Sequence, residues 1–179
     1  MSQEDKGIRF FFLLTVALFL GCSERKNVTE RGGDIIDPDK WMLVEEAADP
    51  FEDRIFDATC PLRSFGEEYG YFEVETGACN YGTFSQPILI DLYAGESVHL
   101  VMWWQELWAA TESRGHMALQ LDDFLLAEAK PAIPGSGGFI ERDVVLSEDI
   151  DEGTPVFFHV HNHGYNTWVM AEFVLNEDK

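Results

Sequence analysis

The sequence predicts an all-β domain, an antiparallel sandwich of the jelly-roll or immunoglobulin-like kind, and three observations predict it. After Cys60, short apolar runs are separated by Gly, Asp, Asn and Pro, which is typical of strands joined by tight turns. No stretch shows a long apolar repeat of helical period with capping residues. The 179 residues, 46% of them hydrophobic, are enough to bury one ordinary core.

At least seven strands are expected in this part of the chain. Sharp turns lie between them, at residues 94–97 and at Asp122-Asp123, and a Pro/Gly-rich loop covers residues 131–138. The adjacent aspartates fit the geometry of a hairpin turn better than a catalytic carboxylate pair. The predicted strands cover residues 71–76, 87–93, 98–104, 117–121, 124–129, 140–146, 155–161 and 168–175.

The last two predicted strands are expected to form a hairpin closed at residues 163–166. In that register Val160 faces Val169, and the pairs beyond them on this face are also apolar. The opposite face then carries His159, His161 and Trp168. The pattern therefore separates a core face from a polar and aromatic face.

Two histidines on that polar face have a spacing that metal sites use. His159 and His161 stand at i and i+2, which places both rings on one side of a strand, roughly 6–7 Å apart at the backbone. His163 is added from the turn, and zinc and copper are the candidate ions. The favoured interpretation, however, is that these imidazoles form hydrogen bonds on a polar sheet face and pack on Trp168. Further ligands are sought among His99, His116 and Glu172.

Exposed aromatic residues beside polar groups suggest a carbohydrate-binding surface as a second interpretation. A sugar ring stacks its apolar face on an aromatic ring while its hydroxyls bond to amides and acids. The candidates for such a surface are Trp108, Tyr165, Trp168 and Glu172. The alternative is that these aromatic rings fill the core and the space under loops of a small domain.

Nucleic-acid binding and catalysis both lack support in the sequence. The net charge of −21 and a pI near 4.3 repel phosphate backbones. The chain has no Gly-x-Ser-x-Gly elbow and no His-Glu-x-x-His motif. Its Gly-Ser-Gly-Gly run ends in Phe139 rather than in the Lys of a phosphate-binding loop. An enzyme is therefore not predicted.

The amino-terminal segment carries the features of an export signal. An apolar run covers residues 10–20, about half the length that a membrane-spanning helix needs. Its ending, Leu-Phe-Leu-Gly-Cys22, resembles the lipobox of bacterial lipoproteins, although Phe19 replaces the usual Leu and the amino end has no net positive charge. The resemblance, which covers residues 8–22, implies cleavage before Cys22 and lipid attachment to it. The alternatives are a plain secretory signal and a buried apolar helix.

The two remaining cysteines agree with an exported protein. Cys60 and Cys79 form an even pair, and a disulfide between them would stabilise the fold by about 3 kcal/mol. Free thiols or a Cys/His metal site are the alternatives. The predicted organisation is a signal peptide at residues 1–21, an acidic flexible tether at 22–57 and the β-sandwich domain at 58–179.

Together these features predict an exported protein, lipid-anchored to a bacterial outer membrane or cell surface. The resemblance implies this destination, because Ser23 rather than Asp follows Cys22. The expected partners are the membrane, through the lipid, and a glycan or an envelope protein, bound by the sandwich. A metal-binding protein or metal-dependent enzyme using the histidines is one alternative, and a structural envelope component without a small ligand is another.

Overall fold

The computed structural model describes residues 32–177, which contain thirteen strands and no α-helix. None of its helical turns is long and apolar enough to cross a bilayer. These turns are of the 3-10 type, at Pro38–Lys40, Glu46–Ala48 and Leu62–Ser64. The strands are β1 (Gly33–Asp34), β2 (Met42–Leu43), β3 (Phe65–Glu68), β4 (Tyr71–Glu75), β5 (Tyr81–Pro87), β6 (Ser97–Trp104), β7 (Ser113–Arg114), β8 (His116–Leu121), β9 (Phe124–Ala129), β10 (Ala132–Ile133), β11 (Gly138–Val145), β12 (Pro155–His161) and β13 (Thr167–Leu175).

The strands form two large antiparallel sheets. Sheet A has the order β11-β6-β13-β4-β3, with β1 also paired to β13, and sheet B has the order β2-β5-β12-β8-β9. Strands β7 and β10 form a separate small pair. Each large sheet buries one face, and the two buried faces make one hydrophobic core.

The strand order identifies the sandwich as a jelly roll. The eight long strands split into β4-β13-β6-β11 in sheet A and β5-β12-β8-β9 in sheet B, so the first long strand pairs with the last and the second with the seventh. Consecutive long strands lie in different sheets, except for the β8–β9 hairpin with its Asp122-Asp123 turn. The predicted fold class is confirmed, and the jelly-roll alternative is the one observed.

The predicted hairpin between the last two strands is wrong. Strand β12 lies between β5 and β8 in sheet B, whereas β13 lies between β6 and β4 in sheet A, so the connection crosses from one sheet to the other. The face assignment within β12 was nevertheless correct, because Val156, Phe158 and Val160 are fully buried in the core. Alternation fixes the two faces of a strand but does not identify its neighbours.

A bulge in β13 places Trp168 in the core rather than on the surface. The register with β6 shifts between Met170 and Glu172, so both Trp168 and Met170 before the shift and Phe173 after it face inward. Trp168 has no exposed surface, and its indole N–H donates to Asn162 Oδ1 at 3.1 Å. Trp168 therefore cannot belong to a ligand-binding surface.

Residues 33–57, predicted as part of a flexible tether, are folded against the sandwich. Ile35 and Trp41 are buried, and the Trp41 ring lies 5.4 Å from that of Phe72. Strand β2 extends sheet B by pairing with β5. The sequence also indicated docking of residues 41–44, which the burial of Trp41 agrees with, but the acidic composition concealed Ile35, and the few apolar anchors are sufficient to hold the segment. The signal peptide and Cys22 lie outside the described residues.

The remaining strand predictions agree closely with the structure apart from one. Residues 87–93 were expected to form a strand, but the strand ends at Pro87, and beyond it Leu92 makes only an isolated bridge to Ile150. The missed strand β5 contains Gly82, Thr83 and Ser85, so its sequence lacks the apolar alternation used to find strands. The Cys60–Cys79 disulfide is present, as predicted.

The burial of Trp168 makes a direct prediction about stability. Replacing Trp168 with Ala should lower the free energy of unfolding by about 3–5 kcal/mol, because it removes a large core side chain. The matched variant Trp108→Ala should change it by less than about 1 kcal/mol, since 58% of Trp108 is exposed. Urea unfolding followed by circular dichroism measures both, and similar values for the two variants would contradict this placement.

Candidate functional site

The connection between β12 and β13 is held by buried polar side chains. Asn166 donates to Asn162 Oδ1 at 2.6 Å and to the His163 carbonyl at 3.0 Å, and its own backbone N–H donates to Thr76 Oγ1 at 2.8 Å. Asn162 in turn donates to the Gly164 carbonyl at 3.1 Å. These bonds satisfy the buried amides, so the connection has one defined conformation.

This rigid connection presents Tyr165 to solvent at the rim of a cleft. Tyr165 is 71% exposed, and its ring lies above Gly77, where a Cβ atom would approach it to 3.2 Å. The cleft has a volume of about 260 Å³ and lies where β4 and β6 end and β13 begins. Its remaining lining consists mainly of polar side chains, those of Glu75, Thr76, Gln105, Glu106, Asn166 and Thr167.

The other predicted members of the aromatic surface lie elsewhere. Trp108 is exposed next to the same connection, and its backbone N–H donates to Asn166 Oδ1 at 2.6 Å, but its side chain does not line the cleft. Glu172 lies on the outer face of sheet A, 4.0 Å from His99 Nε2. Of the four candidates, only Tyr165 lines the cleft.

The outer face of sheet B brings three histidines together. His159 and His161 project from the same face of β12, as predicted, and the register of β8 places His116 directly opposite His161. On the other side, β5 places Thr83 opposite His159 and Tyr81 opposite His161. The strand pairing alone therefore assembles this cluster.

Residues 49–57, called the covering segment below, lie across this face. Phe51 stacks on His159 with ring centroids 4.2 Å apart, and Arg54 lies over the Tyr81 ring at 5.2 Å. Asp49 accepts hydrogen bonds from the Tyr81 and Thr83 hydroxyls, both at 2.8 Å. His159 is completely buried as a result.

The covering segment directs the Asp53 carboxylate into the centre of the three imidazoles. Its Oδ2 atom lies 2.8 Å from His116 Nδ1 and 3.0 Å from His161 Nδ1, and its Oδ1 atom lies 3.2 Å from His159 Nε2. We call Asp53, His116, His159 and His161 the histidine–aspartate cluster. Three of its members, Asp53, His116 and His159, offer nitrogen and oxygen atoms within 4.8 Å of one another, and these atom types bind divalent transition metals.

The pKa values of two of these groups are lowered, for different reasons. Burial lowers the pKa of His159, and the nearby Asp53 carboxylate only partly counters that effect. Partial burial raises the pKa of Asp53, but the three neighbouring imidazoles outweigh it and hold that pKa far below its usual value. The cluster therefore favours a neutral His159 ring beside an ionised Asp53.

The remaining predicted metal ligands lie outside the cluster. The His163 ring is 5.0 Å from that of His161 and contacts it without reaching Asp53. His99 lies in the other sheet, where its Nδ1 atom is 2.8 Å from Asp143. His116, considered only as a further ligand, is a full member of the cluster. Asp53 was missed because it belongs to an acidic stretch with no metal-binding spacing.

Comparisons with known proteins give structural similarity alone. No protein-family model and no curated protein matches the chain. Among solved structures, one described as "CBM4 structure and function" is 14% identical over 83% of this chain and 96% of that one, with a TM-score of 0.43. A "Family 16 Carbohydrate Binding Module-2" is 9% identical over 62% and 79%, with a TM-score of 0.39. The K3 adhesin domain of Lys-gingipain from Porphyromonas gingivalis is 12% identical over 80% and 100%, with a TM-score of 0.42. The likeness concerns the fold alone.

Two glycines test how tightly the β12–β13 connection is packed. Gly164 and Gly153 have similar positive φ angles, 96° and 91°, so Ala at either position costs about 1–2 kcal/mol of backbone strain. At Gly164 the added methyl would also collide with the Trp108 carbonyl, whereas at Gly153 it would meet nothing within 4 Å. We expect Gly164→Ala to lower the free energy of unfolding by about 1–3 kcal/mol more than Gly153→Ala does, as measured by urea unfolding. Equal losses would show that the connection can move away from residue 108.

Proposed function

We propose that this chain is an exported, lipid-anchored jelly-roll domain that binds a neutral carbohydrate in the Tyr165 cleft. One observation carries the proposal: an exposed tyrosine stands at the rim of a polar cleft, next to Asn166, whose buried amide is held by hydrogen bonds. The exposed aromatic ring gains little from burial. It does provide a stacking surface for a ligand, on a backbone that these bonds hold in place.

The lining of the cleft defines the class of ligand. Glu75, Glu106 and Gln105 offer carboxylate and amide groups to ligand hydroxyls, while the Tyr165 ring offers an apolar face. This combination matches a pyranose ring. The two cleft carboxylates and the net charge of −21 disfavour anionic sugars, so neutral polysaccharides are the expected ligands.

The anchor is proposed from the sequence alone. The lipobox-like residues 8–22 would make Cys22 the lipid-bearing first residue of the mature protein. The folded domain begins at β1, Gly33–Asp34, so the connecting residues span at most about 40 Å. A tether of that length would keep the cleft close to the membrane surface, where a glycan of the cell envelope or its surroundings is within reach.

The carbohydrate proposal predicts a specific loss of binding. Tyr165→Ala should reduce affinity for a neutral polysaccharide about ten-fold, because the stacking surface is removed. The probes are soluble glucan, xylan, mannan and galactan, with alginate as the anionic comparison, measured by affinity electrophoresis and calorimetry. Tyr69→Asn is the matched control, because it removes an even more exposed tyrosine near the opposite end of β4, and Asn suits the positive φ angle there.

Two outcomes would contradict the proposal. If the wild-type protein binds none of the neutral polysaccharides, the carbohydrate proposal is wrong. If Tyr165→Ala binds a polysaccharide as tightly as the wild type, the binding site lies outside the cleft. Preferential binding of alginate would contradict the inferred ligand class, since the cleft lining carries Glu75 and Glu106.

The anchor has its own test in a bacterial expression host. The wild-type chain should incorporate an alkyne-labelled fatty acid and, when analysed by mass spectrometry, begin at Cys22. Cys22→Ser should lose the label, whereas Ser23→Ala, the adjacent control, should keep it. A labelled Cys22→Ser variant, or a mature chain that begins at another residue, would contradict lipidation at this position.

A further inference from the structure

Three donor atoms of the histidine–aspartate cluster are close enough to share one metal ion. Ligands at about 2.0–2.1 Å from a tetrahedral zinc ion lie about 3.3 Å from one another. One donor atom from each of Asp53, His116 and His159 lies within 4.8 Å of the other two, and the two nitrogens that face the carboxylate are 2.8 and 3.2 Å from its oxygens. The hydrogen bonds around His159 distinguish a metal site from a purely hydrogen-bonded one.

The hydrogen bonds of His159 direct its Nε2 atom at the carboxylate. The Thr83 hydroxyl has one hydrogen, which it donates to Asp49 Oδ1 at 2.8 Å. Thr83 Oγ1 must therefore accept from His159 Nδ1, 2.9 Å away. The other ring nitrogen, Nε2, faces Asp53 Oδ1 at 3.2 Å.

The two facing atoms are both unsatisfied. His159 Nε2 and Asp53 Oδ1 are buried, and neither has a hydrogen-bond partner in the described part of the chain. Although they are 3.2 Å apart, a proton placed on Nε2 would not point along a hydrogen bond to Oδ1. A cation bound by both atoms satisfies them together, which a second proton on the ring does not.

Outer partners hold two of the imidazoles in the orientation that metal binding requires. His116 Nε2 lies 2.9 Å from Glu128 Oε1, which is itself 2.7 Å from the Lys130 ammonium. His159 is held in the same way by Thr83 and, through it, by Asp49. A carboxylate or hydroxyl on the far nitrogen fixes the tautomer and directs the near nitrogen at the metal.

We propose that Asp53, His116 and His159 bind one divalent transition-metal ion, of which Zn²⁺ fits best. Two imidazoles and one carboxylate are a donor set that zinc binds, and imidazole nitrogens disfavour the oxygen-preferring Ca²⁺ and Mg²⁺. His161 Nδ1 lies 3.0 Å from Asp53 Oδ2 and orients that carboxylate, and the Phe51 ring stacked on His159 covers the site. The site is separate from the Tyr165 cleft and does not depend on the proposed sugar binding.

The ion would fasten the covering segment to sheet B. Two of the ligands, His116 and His159, come from β8 and β12, and the third, Asp53, comes from the covering segment. The Cys60–Cys79 disulfide already holds the chain just beyond this segment, and the pairing of β2 with β5 holds the chain before it. The metal would add a third attachment between these two.

Metal content of the purified full chain is the decisive measurement. After chelation, reloading with Zn²⁺ alone and dialysis, elemental mass spectrometry should find about one equivalent of zinc. Asp53→Asn and His116→Gln, which keep the side chains polar, should weaken zinc binding at least ten-fold in a competition titration. Glu128→Gln should weaken it about 10–100-fold through loss of the outer partner.

His163→Ala is the matched control, because it removes an imidazole that touches the cluster without belonging to it. It should retain one equivalent of zinc. Wild-type protein without zinc after reloading would overturn the proposal, even if a cluster variant failed to fold. So would folded His116→Gln protein, verified by circular dichroism, that bound zinc as tightly as the wild type.

The rate of cleavage by trypsin measures whether the metal ion holds the covering segment against sheet B. Arg54, next to Asp53, interacts with Asp49 and the Tyr81 ring, so cleavage after it requires the covering segment to lift. Zinc should slow this cleavage at least ten-fold in the wild type and in His163→Ala, but not in Asp53→Asn. Zinc binding without any change in cleavage rate would contradict the fastening role.

Discussion

The position of β12 between β5 and β8 is the constraint on which the rest of the structure depends. One face of β12 supplies Val156, Phe158 and Val160 to the core, and the other supplies His159 and His161 to the histidine–aspartate cluster. The same pairing brings side chains from β5 and β8 to both faces. A shift of β12 by one residue would therefore place histidines in the core and disperse the cluster.

The sequence was sufficient to predict the local features of this arrangement. Alternation identified the two faces of β12 and the separation of its histidines from the core, because the period of a strand depends only on the strand itself. It did not identify the neighbours of β12, because β5, β8 and β13 all have one buried face. A short connection suggested a hairpin, whereas the buried amides of Asn162 and Asn166 support a crossing between sheets. Trp168, near the start of β13, is then buried in the core.

The position of Asp53 shows that composition wrongly predicted a flexible segment. An acidic stretch before the first disulfide cysteine was expected to be mobile, because it has few apolar residues to offset its ordering entropy. The stretch is instead fixed by specific polar contacts, such as those of Asp49 with Tyr81 and Thr83, and by a few rings. Such contacts depend on sheet geometry and join residues far apart in the sequence, so residue spacing does not reveal them.

The two candidate sites share the end of β12 but are supported by different interactions. The cluster depends on Asp53 and therefore on the covering segment, whereas Tyr165 depends on the network of Asn162, Asn166 and Thr76. That network is satisfied without any contribution from the covering segment. Release of the segment would therefore expose the histidines while leaving Tyr165 and the cleft in place. Under the two proposals, the metal site would fasten the covering segment to sheet B, and the open cleft would bind the ligand.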